Sequence, residues 1–332
     1  MTISDVAQAA GVSMMTVSRV VNDSGPVSEA TRQRVMVVIE NMGYRPSGLA
    51  RSLATKRTGT IGLIVPDIAN PFFAGVAKGV ERVAYAEGYN VFLGNTSEDW
   101  DRELAMLQSL EEKRVDGLIL CSSRLHDERL REALRWHPTT ILVNRQFQGY
   151  GSVLMDDRAG AMMLVEHLLN CGRQHIGVLA GPLRSTSGQK RLHGYRSAMQ
   201  MAGRTWRDGW IEHCAPSVEG GLDAATTLLT VHPELDAILC YNDLVAVGAL
   251  QAAVNLSRVV PDDLAITGFD DIPLSALVTP SLTTCHVPVQ DIGSEAMRLL
   301  LDHVAGCTGG CEEIILKPEL VIRASTTTQE LM

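Results

Sequence analysis

Asn144, Asp156, Asn242 and Asp270 each close a short apolar run, in "TTILVN", "SVLMDD", "AILCYN" and "LAITGFDD". Carboxylates accept several hydrogen bonds, and amides both donate and accept, so such groups suit a ligand rich in hydroxyls. Arg191 stands in "STSGQKRLHGY" after the run "HIGVLAG", with Ser187 and Lys190 beside it, and Phe72 and Phe73 follow "TIGLIVP". A guanidinium, carboxylates and amides can take adjacent hydroxyls while rings cover the apolar face of a sugar. Each residue also has a plainer use. Asn242 and Asp270 could cap the helices that follow them, and Phe73 serves a core as readily as a contact.

A second set of residues lies near the amino terminus, in "GVSMMTVSRVVN". Met14, Ser18 and Asn22 are spaced i, i+4, i+8, and Met15 and Arg19 i, i+4, so on a helix they stand away from the stripe of Val17, Val20 and Val21. Arg19 is the cation of that face, and paired donation to guanine O6 and N7 is its natural use there. Two adjacent methionines offer no conventional hydrogen-bond donor, but they fit thymine methyls and adapt to groove shape. The alternative is a small three-helix bundle that merely exposes two methionines.

The elements that must position these residues are legible. "TISDVAQAAG" opens on Thr2 with Asp5 three residues later and closes at Gly11; Ser13 can cap a second helix. Ser28 can cap a third, "EATRQRVMVVIENMG", which aligns Val35, Val38, Ile39 and Met42 and ends at Gly43. Two short helices joined by Gly-Val-Ser form a helix-turn-helix, whose second helix enters the major groove. From residue 60 onward, apolar runs of strand length alternate with amphipathic helices. That is the pattern of parallel sheets flanked by helices, with enough units for two α/β lobes.

Charge divides the same way. The 332 residues carry 29 Lys/Arg and 38 Asp/Glu, a net charge of −9. Residues 1–57 hold seven basic and four acidic residues, leaving 22 against 34 for the rest. A basic head on an acidic body confines any polyanion to the head. No run of about 18 apolar residues occurs, and "MTISDVAQAAG" is not a secretory signal. Seven cysteines at scattered spacings suit a reduced, cytoplasmic setting rather than a disulfide framework. The one close pair, Cys307 and Cys311 in "CTGGC", has only His303 nearby as a third metal ligand, and no metal or cofactor is expected. Neither G-x-S-x-G, H-E-x-x-H nor a Walker loop is found, so no catalytic residue is assigned.

"TISDVAQAAGVSMMTVSRVVN", "VSEATRQRV", "GYRPSGLARSLATKRTGTIGLIVPDIANPFF" and "GFDDIPLSALVTPSLTT", with the spacing between them, resemble the lactose-repressor (LacI/GalR) family from end to end. The resemblance implies a homodimer, or a tetramer, whose recognition helices read the half-sites of a near-palindromic operator. It implies a head over 1–57 whose residues 47–54 form a hinge helix on DNA. Leu53 would be its minor-groove wedge and Ala50 a small residue one turn earlier; without the family, Leu53 reads as a buried anchor. Thr2, Ser13, Thr16, Ser28 and Tyr44 join Met14, Met15, Ser18, Arg19 and Asn22 in the implied DNA contact set.

The implied body, 58–332, is periplasmic-binding-protein-like. One lobe spans about 58–157 and 286–320, the other about 158–285 and 321–332. Its small-molecule effector site falls most firmly on Arg191, Asn242 and Asp270, with Phe72, Phe73, Asn144, Asp156 and Ser187. Departures blur the choice of effector. The loop near 214–220 has no aromatic residue, position 287 is Val, and Lys190 and Arg184 could favour an acidic sugar. The expected function is an effector-responsive repressor of carbohydrate or sugar-acid genes, released by ligand, with corepression the alternative. A sugar-transport protein and a doubly wound enzyme are the competing classes.

Overall fold

The computed structural model describes residues 1–44, 57–307 and 312–327. It separates into two compact units, Met1–Thr60 with Arg114–Asp116, and the remainder.

The first unit holds α1 (Ile3–Ala10), α2 (Met14–Val21) and α3 (Glu29–Met42). Thr2 and Asp5 form a reciprocal capping box at the start of α1, and Gly11 ends it in the left-handed conformation that a residue without Cβ adopts at little cost. Ser13 and Ser28 accept hydrogen bonds from Thr16 N and Thr31 N, capping α2 and α3. Val6, Ala7, Ala10, Val17, Val20 and Val35 form a common core, with Val38, Ile39, Met42 and Tyr44 packed against it. Burying one stripe of each short helix stabilises what none could hold alone.

The second unit contains two parallel sheets. The first is built from β1 (Thr60–Val65), β2 (Asn90–Asn95), β3 (Gly117–Cys121), β4 (Thr140–Val143), β5 (Gly151–Met155) and a late strand, β11 (Glu313–Leu316), in the order β11-β5-β4-β3-β1-β2. Its helices are α4 (Pro71–Ala86), α5 (Trp100–Glu112), α6 (Asp127–Leu134) and, from the distant carboxyl-terminal part, α12 (Val289–Val304). Helices α4 and α12 touch backbone to backbone. A Cβ on Gly79 would lie 2.1 Å from Gln290 O, and one on Gly293 would lie 2.1 Å from Val76 O.

The second sheet has the order β7-β6-β8-β9, from β6 (Ile176–Leu179), β7 (Ile211–Glu212), β8 (Ala237–Cys240) and β9 (Ala265–Thr267). Packed against it are the helix pairs α7 (Asp157–Asn170) with α8 (Thr186–Met201), and α9 (Val218–Val231) with α10 (Asp243–Asn255); a short α11 spans Pro273–Leu277.

The chain leaves the first sheet after β5. It comes back through β10 (Thr284–His286), and goes out again through β12 (Glu319–Val321) to a tail whose Ser325 Oγ donates to Ile266 O. Strands β10 and β12 pair antiparallel, Thr284 with Val321 and His286 with Glu319. Beside them Arg323 and His286 both bind Asp271, at 2.6 and 2.9 Å, and hold its carboxyl below the usual range despite partial burial.

Candidate ligand cleft and nucleic-acid interface

Thirteen residues line a cleft between the two sheets' ends. Asn70, Phe72 and Phe73 follow β1, Glu98 follows β2, Ser122 and Arg124 follow β3, and Asn144 follows β4. From the other lobe, Ser187 and Arg191 follow β6, Pro216 follows β7, Tyr241 and Asn242 follow β8, and Asp270 follows β9. Every lining residue therefore stands beyond the carboxyl end of a parallel strand, where open α/β sheets gather their ligands.

Arg191 is the hub of one wall. Its Nε donates to Asp157 Oδ1 at 2.8 Å, its Nη1 donates to the carbonyl of Tyr241, and its guanidinium lies 3.6 Å from the Phe269 ring centroid. Burial opposes its charge, but Asp157 and Asp270 outweigh burial and hold its proton more firmly than usual. Asp270 Oδ1 lies 3.6 Å from Arg191 Nη2, close enough for attraction but too far for a hydrogen bond. With 6% exposure and Asp243 and Asp157 nearby, its carboxyl is pushed well above the ordinary range, chiefly by desolvation. Its φ of 107° is a strained backbone for a residue with a Cβ, of the kind concentrated at ligand sites.

On the opposite wall Arg124 donates through Nε and Nη2 to both oxygens of Glu98, at 2.6 and 3.0 Å. Its backbone N–H donates to the buried Glu103, whose carboxyl burial pushes up. Tyr241 bridges its hydroxyl to Ser185 at 2.9 Å. Phe72 and Phe73 pack edge to face, 5.1 Å between centroids. Both line the cleft and both belong to the core, so core and contact are not alternatives there. Asn242 likewise caps α10 through Val245 N at 3.0 Å while facing the cleft.

The cleft thus brings together Phe72, Phe73, Asn144, Ser187, Arg191, Asn242 and Asp270. Asp156 is not among them. Its carboxylate caps α7 by accepting from Ala159 N at 3.0 Å, and its neighbour Asp157 makes the inward ion pair with Arg191. Lys190 and Arg184 do not line the cleft, and Val287 is buried outside it. Sequence reasoning missed Asn70, Glu98, Ser122, Arg124, Pro216 and Tyr241. The strand-end rule would have found Ser122 and Arg124 in "DGLILCSSR", had it been applied to every strand.

On α2, Met14 and Met15 are 55% and 65% exposed, and Arg19 is exposed beside them. Asn22 donates to Ser18 Oγ at 3.2 Å, tying these two polar residues to each other. Thr2, Ser13 and Ser28 mark the three helix amino termini, Thr16 shares a hydroxyl contact with Ser13, and Tyr44 is half-buried against the core. Residues 47–54, with Ala50 and Leu53, lie outside the described residues, as does Cys311. Among the described residues no helix is long and apolar enough to cross a membrane, and no group of three metal-binding side chains occurs.

Residues 2–47 match the model described as bacterial regulatory proteins, lacI family, and residues 58–323 match periplasmic binding proteins and sugar binding domain of LacI family. The chain is 37% identical over 330 residues to the ribose operon repressor of Halalkalibacterium halodurans, covering 98% of this chain and 97% of that one. It is 36% identical over 329 residues to catabolite control protein A of Priestia megaterium, covering 98% and 99%. Among solved structures it is similar to the lac repressor dimer bound to operator and the anti-inducer ONPF, with a TM-score of 0.87, 27% identity and 99% of both chains covered. With a helix-turn-helix head, an α/β body and both family models matched in order, the chain belongs to the lacI family of DNA-binding transcriptional regulators.

Proposed function

We propose that the protein is a homodimeric, cytoplasmic repressor of carbohydrate-utilisation genes, released from a near-palindromic operator when a sugar or sugar derivative enters the cleft. It acts by binding and not by turnover. The observation that carries the ligand class is a pair of buried acceptors, Asp270 Oδ1 and Asn144 Oδ1, with no hydrogen-bond donor among the described residues. Leaving such an atom unpaired costs about 1–3 kcal/mol, and ligand hydroxyls supply the missing donors. Relatives named for a ribose operon support the same class.

The mechanism is linkage. Ligand contacts both lobes, biases their relative angle, and shifts operator affinity by its differential affinity for the two states. Asn144, Ser187, Arg191, Asn242 and Asp270 hold the hydroxyls, and the Phe pair covers the ring. Met14, Met15, Ser18 and Arg19 read bases in the major groove, and Leu53 wedges the minor groove. An operator shift assay across a sugar panel tests this reading. Release by a sugar supports it, tighter operator binding with ligand assigns corepression, and no retained half-site palindrome at low salt ends the DNA-binding claim.

A further inference from the structure

We infer that the cleft selects an uncharged ligand, a monosaccharide or polyol without carboxylate, phosphate or ammonium. This rests on the sugar reading of the cleft and narrows it.

Two features of the walls point the same way. The first is charge. Arg124 and Arg191 are the cations lining the cleft, and each already has an internal carboxylate. Glu98 takes Arg124 through two hydrogen bonds, at 2.6 and 3.0 Å, and Asp157 takes Arg191 at 2.8 Å. A third carboxylate, Asp270, stands 3.6 Å from Arg191. Both guanidiniums are over nine-tenths buried, so bulk solvent does little to screen them. An incoming carboxylate or phosphate would meet no unmatched cation and would approach the Glu98 carboxylate at close range. Its desolvation would go uncompensated. Lys190 and Arg184 offer no rescue. Neither lines the cleft, and Arg184 lies over the ring of Trp100 at 4.7 Å. An ammonium fares no better, because a cation placed against Asp270 falls beside the Arg191 guanidinium.

The second feature is hydrogen-bond polarity. Among the cleft-lining residues the two unmatched buried atoms, Asp270 Oδ1 and Asn144 Oδ1, are both acceptors. Hydroxyl groups donate to them, whereas an ionised acid group brings only more acceptors. Both acceptors stand in the cleft lining beside the Phe72–Phe73 pair, so donated hydroxyls and an apolar ring face are served together.

The test is calorimetric titration of the full-length protein with matched series: glucose, gluconate, glucose 6-phosphate and glucosamine, then ribose, ribonate and ribose 5-phosphate. The expected result is that the neutral member of at least one series binds about tenfold or more tightly than its charged derivatives. A charged member that binds as well as or better than its parent overturns the inference and leaves the sugar reading intact. Binding of no member removes both. A second arm uses Glu98→Gln, which frees Arg124 from its carboxylate. The ratio of gluconate to glucose affinity should rise by about tenfold in this variant. An unchanged ratio in a folded variant overturns the charge argument, and the wild-type series decides the matter if Glu98→Gln does not fold.

Discussion

Arg184 lays its guanidinium over the indole of Trp100, 4.7 Å from the ring centroid, and Arg129 approaches the same ring at 4.4 Å. Trp100 begins α5 in one lobe, and Arg184 precedes α8 in the other, so the contact spans the mouth of the cleft. A second bridge runs from Arg145 Nη1 to Thr186 Oγ1 at 3.2 Å. Partly exposed cation–π pairs contribute about 0.5–1 kcal/mol. Arg184→Ala is therefore expected to weaken ligand binding about two- to fivefold, by favouring the open lobes, with no change in the ligand's stoichiometry. Unaltered affinity in titration calorimetry would show that the contact plays no part in closure.

The buried Arg191–Asp157 pair gives a larger effect. Removing one partner of a buried ion pair typically costs about 3–5 kcal/mol, because the other charge is stranded. Arg191→Ala should lower the denaturant midpoint of the body by that order and abolish the ligand response, while the head still binds operator DNA. A variant that keeps its ligand response would move the hub of the site elsewhere.

Asp243 makes stability depend on pH. It is fully buried, accepts from Thr284 Oγ1 at 2.6 Å and Ile272 N at 2.8 Å, and is pushed up to about 7, chiefly by desolvation. The folded protein therefore holds this proton more tightly than the unfolded chain, whose aspartates titrate near about 3.9. Stability contributed by Asp243 is full below about pH 4 and is lost as pH rises towards 7. Asp270, also raised, has the same sign. His167, pushed down by burial, has the opposite sign below its ordinary value. Comparison with Asp243→Asn isolates the effect: the fall in melting temperature from pH 5 to pH 8 should be smaller in the variant. Equal falls in the two proteins would contradict the assignment.

The exposed face of α2 can be tested base by base. Arg19→Ala should cost about 1–3 kcal/mol on the preferred operator and relax discrimination at one base pair. Equal weakening on random DNA would make Arg19 a phosphate contact instead. Replacing thymine by uracil in the half-sites removes only methyl groups. It should weaken the wild type but not a Met14→Ala, Met15→Ala double variant. The same loss in both proteins would show that the methionines do not touch those methyls.

How much of this was legible in the sequence depended on the kind of signal. The caps at Thr2, Ser13 and Ser28 and the glycines at 11 and 43 are local, so they could be read directly. The strand-end rule found Asn144, Asn242 and Asp270 because a strand followed by a polar residue is also a local pattern. It selected Asp156, which caps α7, whereas the adjacent Asp157 faces Arg191; which of two adjacent aspartates turns inward is decided by a turn of the backbone that their sequence does not advertise. Glu98 and Arg124 went unread because their meaning lies in a pairing across 26 positions. Likewise β11 joins β5 from a distance of some 160 residues, a relation that periodicity does not carry.

The paired crossing strands have a mechanical consequence. A short antiparallel ribbon, with Cys285 opposite Leu320 at its centre, resists being pulled apart or sheared along its length but yields readily to twisting. A joint that yields to twisting passes little torque, so rotation about the ribbon is the relative motion of the lobes that it opposes least. Substitutions in the ribbon should retune the amplitude of the response for every ligand alike, leaving the choice of ligand to the cleft.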